Sequence, residues 1–257
     1  MSTGKQIRMG RICGPDGRVL MVAMDHAAIG GPMKYLKDPE DAIEAVVEGV
    51  PDSLLLTRGM LRHGWRAIPP EVGLILRISG GFTILEGAQE FRDRIISTVE
   101  DAMRWGVDGV AVTVKFGHEL EGEFIQAVSK IADDCDRWEM PLLIEVMVGL
   151  RASSGLTEDD ALAVAARSAA ELGADMVKIK YPSKGGNLAE VAEGCPVPIL
   201  VLGGKKAGDD EVLDMVGKAV NEGAMGVTMG RNVWEREDPA DFMARIHNLL
   251  GRDIARG

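Results

Sequence analysis

The chain has 257 residues, 46% of them hydrophobic and 27% charged, which is the composition of a folded globular protein rather than a disordered one. Its formal net charge of −11 excludes an extended nucleic-acid or anionic-membrane surface, but is compatible with a local basic pocket for a small phosphate. No apolar run predicts a membrane-spanning helix or a secretory signal, and the three widely spaced cysteines favour a reducing cytoplasm.

Apolar, β-branched runs alternate with longer amphipathic stretches along the whole chain. Eight runs are predicted as strands: Val19–His26, Ser53–Thr57, Val72–Ser79, Gly109–Phe116, Pro141–Val148, Asp175–Tyr181, Pro198–Gly204 and Gly226–Arg231. Five stretches are predicted as helices: Gly87–Trp105, Glu119–Trp138, Glu158–Leu172, Asp209–Glu222 and Pro239–Leu250. Only short helices are expected after the second and sixth strands.

Glycines at the ends of three predicted helices support this alternation. Gly106, Gly173 and Gly223 each stand where a C-cap glycine would end a helix before the next strand. Eight strand-then-helix units in a chain of this length favour a (β/α)8 TIM barrel over a doubly wound sheet. No linker or composition break divides the chain. We therefore expect one α/β domain over residues 1–257, with residues 1–18 as an N-terminal extension.

Polar residues recur near the carboxyl ends of the predicted strands, where a TIM barrel carries its active site. The candidates are Asp25 and His26 on the first strand, Arg77 and Ser79 on the third, Thr113 and Lys115 on the fourth, Glu145 on the fifth, and Lys178 and Lys180 on the sixth. Charged residues within apolar strands are costly unless they are paired or functional. A purely structural ion-pair network, such as Glu145 with a lysine, is the alternative to an active site.

The two lysines of the sixth strand stand two residues apart, on the same strand face. Each positive charge disfavours protonation of the other, as does a partly dry pocket, so a neutral amine is expected. A neutral lysine can attack a carbonyl to form a Schiff base, whose iminium makes the neighbouring carbon–carbon bond breakable. Cleavage also needs a group that takes the proton from a hydroxyl, and Asp25 or Glu145 could serve.

Two glycine-rich, basic loops follow the seventh and eighth strands. They contain Gly203, Gly204 and Lys205 in the first loop, and Gly230 and Arg231 in the second. Loops at these positions of a TIM barrel frequently bind phosphate through backbone N–H groups and a helix N-terminus. The alternative is that the glycines serve only two tight turns. Because both loops also carry basic residues, we favour a phosphate site.

Five motifs along the chain resemble class I aldolases of the archaeal-type fructose-bisphosphate aldolase group, within the deoxyribose-phosphate and tagatose-bisphosphate aldolase superfamily. They begin at Met24-Asp25-His26, Leu76-Arg77, Gly173-Ala174-Asp175, Gly203-Gly204 and Gly226-Val227, and the resemblance spans about Met21 to Leu249. By this resemblance Lys178 is the Schiff-base lysine and Asp25 is a catalytic or hydroxyl-orienting carboxylate. The two glycine-rich loops hold phosphate, and no cofactor is expected. Independently of the resemblance, His26 is interpreted as a hydrogen-bonding substrate contact rather than a metal ligand.

The chain departs from this pattern at the proton-transfer group. Archaeal-type relatives carry a strand-five tyrosine as general acid–base, and Met147 stands at that position. Lys115 replaces a tyrosine on strand four, and Ala27 replaces a glycine. The motif order is closer to a branch that processes phosphorylated autoinducer-2 and is described as an aldolase or thiolase. We propose Glu145 and Lys115 as substitutes for the tyrosine.

Three functions are compatible with these residues. The first is a class I carbon–carbon lyase that acts on a small phosphorylated ketose, and the second is acyl or aldol transfer in the same site. The third is a catalytically silent barrel that binds a phosphometabolite. A metal-dependent aldolase built on His26, His118 and Glu119 or Glu121 is disfavoured because the histidines lack ligand spacing.

The expected partner is a small phosphorylated sugar or keto compound, with neither nucleic acid nor membrane. Relatives of this group are often homo-oligomers, including decamers, so the resemblance implies a homo-oligomer. The expected location is the cytoplasm.

Overall fold

A computed structural model describes residues 1–86, 93–149, 155–183 and 186–253. Its strands are β1 (Val19–Ala23), β2 (Ser53–Leu56), β3 (Gly73–Arg77), β4 (Ser79–Gly80), β5 (Arg94–Ile95), β6 (Gly109–Phe116), β7 (Leu142–Val148), β8 (Met176–Lys180), β9 (Ile199–Leu202) and β10 (Gly226–Met229). Its α-helices are α1 (Thr3–Ile12), α2 (Ala27–Gly30), α3 (Pro39–Val47), α4 (Arg58–Gly64), α5 (Val99–Arg104), α6 (Glu121–Arg137), α7 (Glu158–Glu171), α8 (Leu188–Gly194), α9 (Asp209–Asn221), α10 (Arg231–Trp234) and α11 (Pro239–Leu249). None of these helices is both long enough and apolar enough to cross a membrane.

Eight of the strands close into a parallel barrel, in the order β1-β10-β9-β8-β7-β6-β3-β2. All eight coincide with the predicted strands to within a few residues at each end, and the predicted (β/α)8 TIM barrel, as a single domain, is confirmed. The remaining two, β4 and β5, form a short antiparallel pair above β3.

Alternation along the strands separates two apolar layers. One set of side chains fills the barrel interior, and the other packs against the surrounding helices. The interior set comprises Met21, Ala23, Leu55, Ile75, Ala111, Leu143, Met176 and Leu200. Because side chains on one face of a strand recur every second residue, this set fixes which later residues point into the barrel mouth.

Helix α1 closes the amino-terminal end of the barrel. Its Ile12 is fully buried in the interior cluster. A Cβ on Gly73 would lie 2.3 Å from the Arg11 carbonyl oxygen, so glycine is needed where α1 meets β3. The segment 1–18, expected only as an extension, thus contributes the floor of the barrel.

Three aspartates link the terminal segments of the chain to the amino-terminal end of the barrel. Each precedes a strand and accepts a backbone N–H from the neighbouring strand: Asp52 from Leu20, Asp108 from Leu74, and Asp175 from Leu142. Each also pairs with a cation from a terminal segment: Arg252, Arg11 and Lys5, in the same order. The two ends of the chain are therefore fastened to the barrel by buried or half-buried charge.

The predicted helix Gly87–Trp105 is wrong over much of its described part. Residues 87–92 lie outside the described residues, β5 is extended, and helix α5 begins only at Val99. The cause is local, since Thr98 is extended and its side chain accepts the N–H of Asp101, which caps the helix there. The helix-ending glycines Gly106, Gly173 and Gly223 are confirmed, with φ of 70°, 98° and 102°.

Candidate active site

A cavity of about 1110 Å³ opens at the carboxyl ends of the strands. Its wall combines the barrel mouth with α2, α4 and the β4–β5 pair. Seven polar residues of the barrel and this pair line it: Asp25, Arg77, Ser79, Asp93, Thr113, Glu145 and Lys178. The cavity lies where the sequence predicts an active site, and a volume of this order suits a small organic ligand.

The polar layer stands directly above the apolar interior because each strand keeps its two-residue alternation. Asp25 follows Ala23, Arg77 follows Ile75, Thr113 follows Ala111, Glu145 follows Leu143, and Lys178 follows Met176, each by two residues. Polar side chains from five strands therefore converge at one depth. Sequence reasoning placed all five on this face, and the structure brings them together around Arg77.

Arg77 links two carboxylates. Its Nε donates to Oδ2 of Asp25 at 2.8 Å, and its Nη2 donates to Oε2 of Glu145 at 2.5 Å. Its Nη1 donates to the Thr113 hydroxyl at 2.8 Å. The other oxygen of Glu145, Oε1, lies 2.9 Å from Nζ of Lys178, whose residue exposure is only 5%. The ion-pair alternative and the active-site prediction thus describe the same residues, since this network lines the cavity.

The charges of this network hold both carboxylates ionised. Burial opposes ionisation of Glu145, but Lys178 and Arg77 outweigh it and lower its pKa to about 2. Burial likewise opposes ionisation of Asp25, whose pKa is held well below its ordinary value by Arg77, His26 and Lys178. Neither carboxylate is therefore a strong base while the cations keep their charges.

A third carboxylate, Asp93, approaches the cavity from the other side and was not among the predicted site residues. Its Oδ2 accepts the Ser79 hydroxyl at 3.0 Å, and the Ser79 oxygen accepts the backbone N–H of Thr113 at 3.0 Å. Burial raises the pKa of Asp93 despite the opposing effects of Arg77 and of these hydrogen bonds. Because Thr98 caps helix α5, the helix begins at Val99 and Asp93 lies outside it. This cap is the sequence signal that could have identified Asp93.

His26 connects the cavity to the loop after β10. Its Nδ1 lies 3.3 Å from Oδ1 of Asp25, and its ring packs edge-on against Trp234 at 5.4 Å between centroids. The indole Nε1 of Trp234 donates to the Ala23 carbonyl at 3.0 Å. A Cβ on Gly230 would lie 2.7 Å from Cε1 of His26, so a larger residue there would displace the histidine ring.

The two glycine-rich loops are joined by Asn232, which is fully buried. Its amide nitrogen donates to the carbonyls of Gly203 and Lys205 at 2.5 and 3.0 Å, and its amide oxygen accepts the Ala207 N–H at 2.9 Å. Asn232 was not among the predicted site residues.

The basic side chain of the second loop lies alongside the first. Arg231 Nη2 lies 3.4 Å from the Gly204 carbonyl. The buried Nε of Arg231 has no hydrogen-bond partner among the described residues. An unpaired guanidinium donor between two glycine turns is suited to receive an anion.

Two of the predicted site residues on the strands lie apart from the polar layer. Lys180 forms an ion pair with Glu158 at the start of α7 and is absent from the described cavity wall. Lys115 is likewise absent from that wall, and it is paired in register with Met147. Met147 does line the cavity and is 40% exposed. Of the two proposed substitutes for a tyrosine, Glu145 therefore faces the cavity.

A metal-dependent aldolase would need a cluster of histidine and carboxylate ligands. Within the described ranges, no group of three or more His, Cys, Asp or Glu side chains is arranged to hold a metal ion.

The structure is a (β/α)8 barrel that carries a buried lysine, Lys178, beside the carboxylate of Glu145 at its mouth. The family model of the DeoC/LacD family aldolases matches residues 19–236. This chain belongs to that family.

Among curated relatives, an uncharacterised aldolase of Pasteurella multocida is 35% identical over 96% of this chain and 82% of its own. A 3-hydroxy-5-phosphonooxypentane-2,4-dione thiolase of Salmonella typhimurium is 34% identical over the same shares. The fold also matches a solved archaeal fructose-1,6-bisphosphate aldolase whose catalytic lysine is bound to a carbinolamine intermediate. That match has 27% identity and a TM-score of 0.84, and covers 96% of this chain and 99% of the other. The expected family resemblance is confirmed.

Proposed function

We propose that this chain is a class I aldolase in which Lys178 forms a Schiff base with the ketone of a small phosphorylated substrate. The observation that carries the proposal is the position of Nζ of Lys178, buried at the base of the cavity and 2.9 Å from Glu145. The amine attacks the carbonyl carbon, water leaves the carbinolamine, and the iminium accepts the electrons of the breaking carbon–carbon bond.

Glu145 supports these steps through its changing basicity. When Lys178 becomes neutral to attack, one of the two cations that depress the pKa of Glu145 is lost. Glu145 then becomes a better proton acceptor, and it can return a proton to the hydroxyl that leaves the carbinolamine. Asp25, fixed by Arg77, orients a substrate hydroxyl. An assisting role of Lys180 through its charge stays a prediction.

The phosphate is assigned to the loops after β9 and β10. Gly204 and Gly230 would offer backbone N–H groups, whereas the N–H of Gly203 is donated to the Thr228 carbonyl, and Lys205 and Arg231 would add charge. Among the described residues, Nε of Arg231 has no hydrogen-bond partner, which supports this assignment.

We further propose that the chain forms a homo-oligomer, which analytical ultracentrifugation would measure.

A second candidate reaction is acyl transfer from a phosphorylated dione, using the same Schiff-base site. It is favoured by the 34% identity to proteins named as thiolases. Met147 on the cavity wall is compatible with it, because a methionine cannot serve as a tyrosine general acid. The two reactions differ in whether cleavage requires a thiol acceptor.

Borohydride trapping followed by peptide mass spectrometry tests the proposal. The panel is dihydroxyacetone phosphate, fructose 1,6-bisphosphate and 3-hydroxy-5-phosphonooxypentane-2,4-dione. We expect a mass increment on the Lys178 peptide, absent from Lys178→Ala, with Lys130→Ala as the exposed-lysine control. Cleavage of the compound that gives the adduct, assayed without borohydride and with or without coenzyme A, then separates lyase from acyl transferase. An adduct on another lysine would overturn the assignment of Lys178.

A further inference from the structure

Asp93 differs from the other two carboxylates that line the described cavity wall. It is 5% exposed, and its Oδ1 has no hydrogen-bond partner among the described residues. Its Oδ2 is fixed by Ser79, which is itself held by the Thr113 backbone. Asp93 therefore lines the cavity with one carboxylate oxygen fixed by Ser79, while its other oxygen is buried without a hydrogen-bond partner in the described part of the chain.

Asp25 and Glu145 are less suited to exchange a proton with substrate. Each has both oxygens close to a cationic or hydrogen-bonding group, with Arg77 shared between them. Asp93 has no ion pair in the described part of the chain, and its neighbours across the cavity wall are the charge of Arg77 on β3 and the hydroxyl of Ser79 on β4.

We propose that Asp93 is the proton-transfer residue for carbon–carbon bond cleavage, a role that rests on the function proposed above. Its carboxylate takes the proton from the substrate hydroxyl beyond the bond that breaks, and the O–H electrons form the carbonyl of the departing aldehyde. The electrons of the carbon–carbon bond move into the Lys178 iminium to give an enamine. The protonated Asp93 returns its proton to the enamine carbon, and water then hydrolyses the new iminium to release the ketone product.

The environment of Asp93 suits both directions of this transfer. A group that accepts and later returns a proton works best when its pKa is near the working pH. Burial moves the pKa of Asp93 upward, whereas the pKa values of Asp25 and Glu145 move downward. The three carboxylates thus separate into two that stay ionised and one that exchanges a proton.

The test is Asp93→Asn in the intact protein, with Glu100→Gln as control. Glu100 is an exposed carboxylate at the start of α5, outside the described cavity wall. Both variants and the wild type are assayed for borohydride adducts on Lys178 and for cleavage across a pH series. The probe is fructose 1,6-bisphosphate, or the phosphorylated dione where only the dione forms the wild-type adduct.

We expect Asp93→Asn to form the Lys178 adduct as the wild type does, which also reports an intact site. Cleavage should fall by about 100-fold or more, and the acid limb of the pH profile should disappear. Unchanged cleavage would overturn the inference, as would loss of the adduct together with cleavage, which indicates a binding or structural role. No adduct in the wild type would overturn the proposed function itself, and this inference with it.

Discussion

Lys178 and Glu145 occupy paired register positions on the neighbouring strands β8 and β7, with Nζ and Oε1 2.9 Å apart. The barrel backbone, rather than a flexible loop, therefore sets the distance between the amine and its carboxylate. Strand-borne groups of this kind are held within the tolerance that catalysis requires.

This pairing predicts a large effect of Glu145→Gln. The amide has nearly the same shape but cannot accept the ammonium proton of Lys178, so formation of the Schiff base should slow. We expect kcat to fall by about 100-fold or more, and the rate of borohydride-trapped adduct formation to fall with it. Glu171→Gln, which removes an exposed carboxylate paired with Arg167 on α7, is the matched control. A wild-type rate of adduct formation in Glu145→Gln would contradict the role.

The same carboxylate predicts a loss of stability in acid. The folded-state pKa of Glu145, about 2, is below its ordinary value of 4.5, so the native state favours the ionised form. Its contribution is complete above the unfolded-state pKa and disappears as the pH falls from about 4.5 toward 2. We expect this carboxylate to account for a loss on the order of 3 kcal/mol in the free energy of unfolding.

Urea unfolding at a series of pH values between about 5 and 2.5 measures this loss. Glu145→Gln lacks the titrating group, so its free energy of unfolding should depend less steeply on pH over the same range. Equal slopes for the variant and the wild type would show that other carboxylates account for the acid sensitivity.

Much of the barrel and of its polar layer could be predicted because both follow from local patterns. Apolar alternation locates the eight strands, and the same alternation places Lys178 and Glu145 on one inner face. The partners of these side chains depend on strand order and register, which no local pattern contains. Lys180 shows the difference, since its face is predictable but its ion pair with Glu158 arises only when α7 packs beside β8.

Asp93 and the barrel floor escaped prediction for related reasons. The cap at Thr98 is a short signal inside an apparently helical stretch, and it was outweighed by the longer pattern. Helix α1 is positioned by Ile12, which packs among residues from several strands and so has no local sequence signal. The ion pair of Lys5 with Asp175 spans 170 residues and follows only from the closed barrel.

Lys5 gives a prediction about stability alone. It is 4% exposed and pairs with Asp136 at 2.6 Å and Asp175 at 2.8 Å, at the end of the barrel opposite the cavity. Lys5→Met leaves the buried Asp175 without its cation, so the free energy of unfolding should fall by about 3 kcal/mol. Urea denaturation measures the change, with the exposed Lys130→Met as control. Activity at 25 °C should be retained, and a stability equal to that of wild type would show that α1 is not fastened by this pair.

Met147 stands where archaeal-type relatives carry a tyrosine general acid–base, so it allows a test of whether Asp93 serves as the proton-transfer group instead. It lies two residues beyond Glu145 on β7, on the same face, and lines the cavity together with Asp93. A tyrosine at this position would place a phenol, which can donate and accept a proton, at the cavity wall. If Asp93 performs proton transfer, Met147→Tyr should restore cleavage in the Asp93→Asn background by about tenfold or more.

The control for this double variant is Met147→Phe in the same background, which adds the ring without the hydroxyl. Recovery with tyrosine but not phenylalanine would assign the gain to proton transfer rather than to cavity filling. The pH profile adds an independent readout, because a phenol titrates near pH 10, well above a carboxylate. The rescued variant should therefore show a profile shifted to higher pH than that of the wild type. Equal recovery with phenylalanine would mean that Asp93→Asn disturbs packing and not proton transfer.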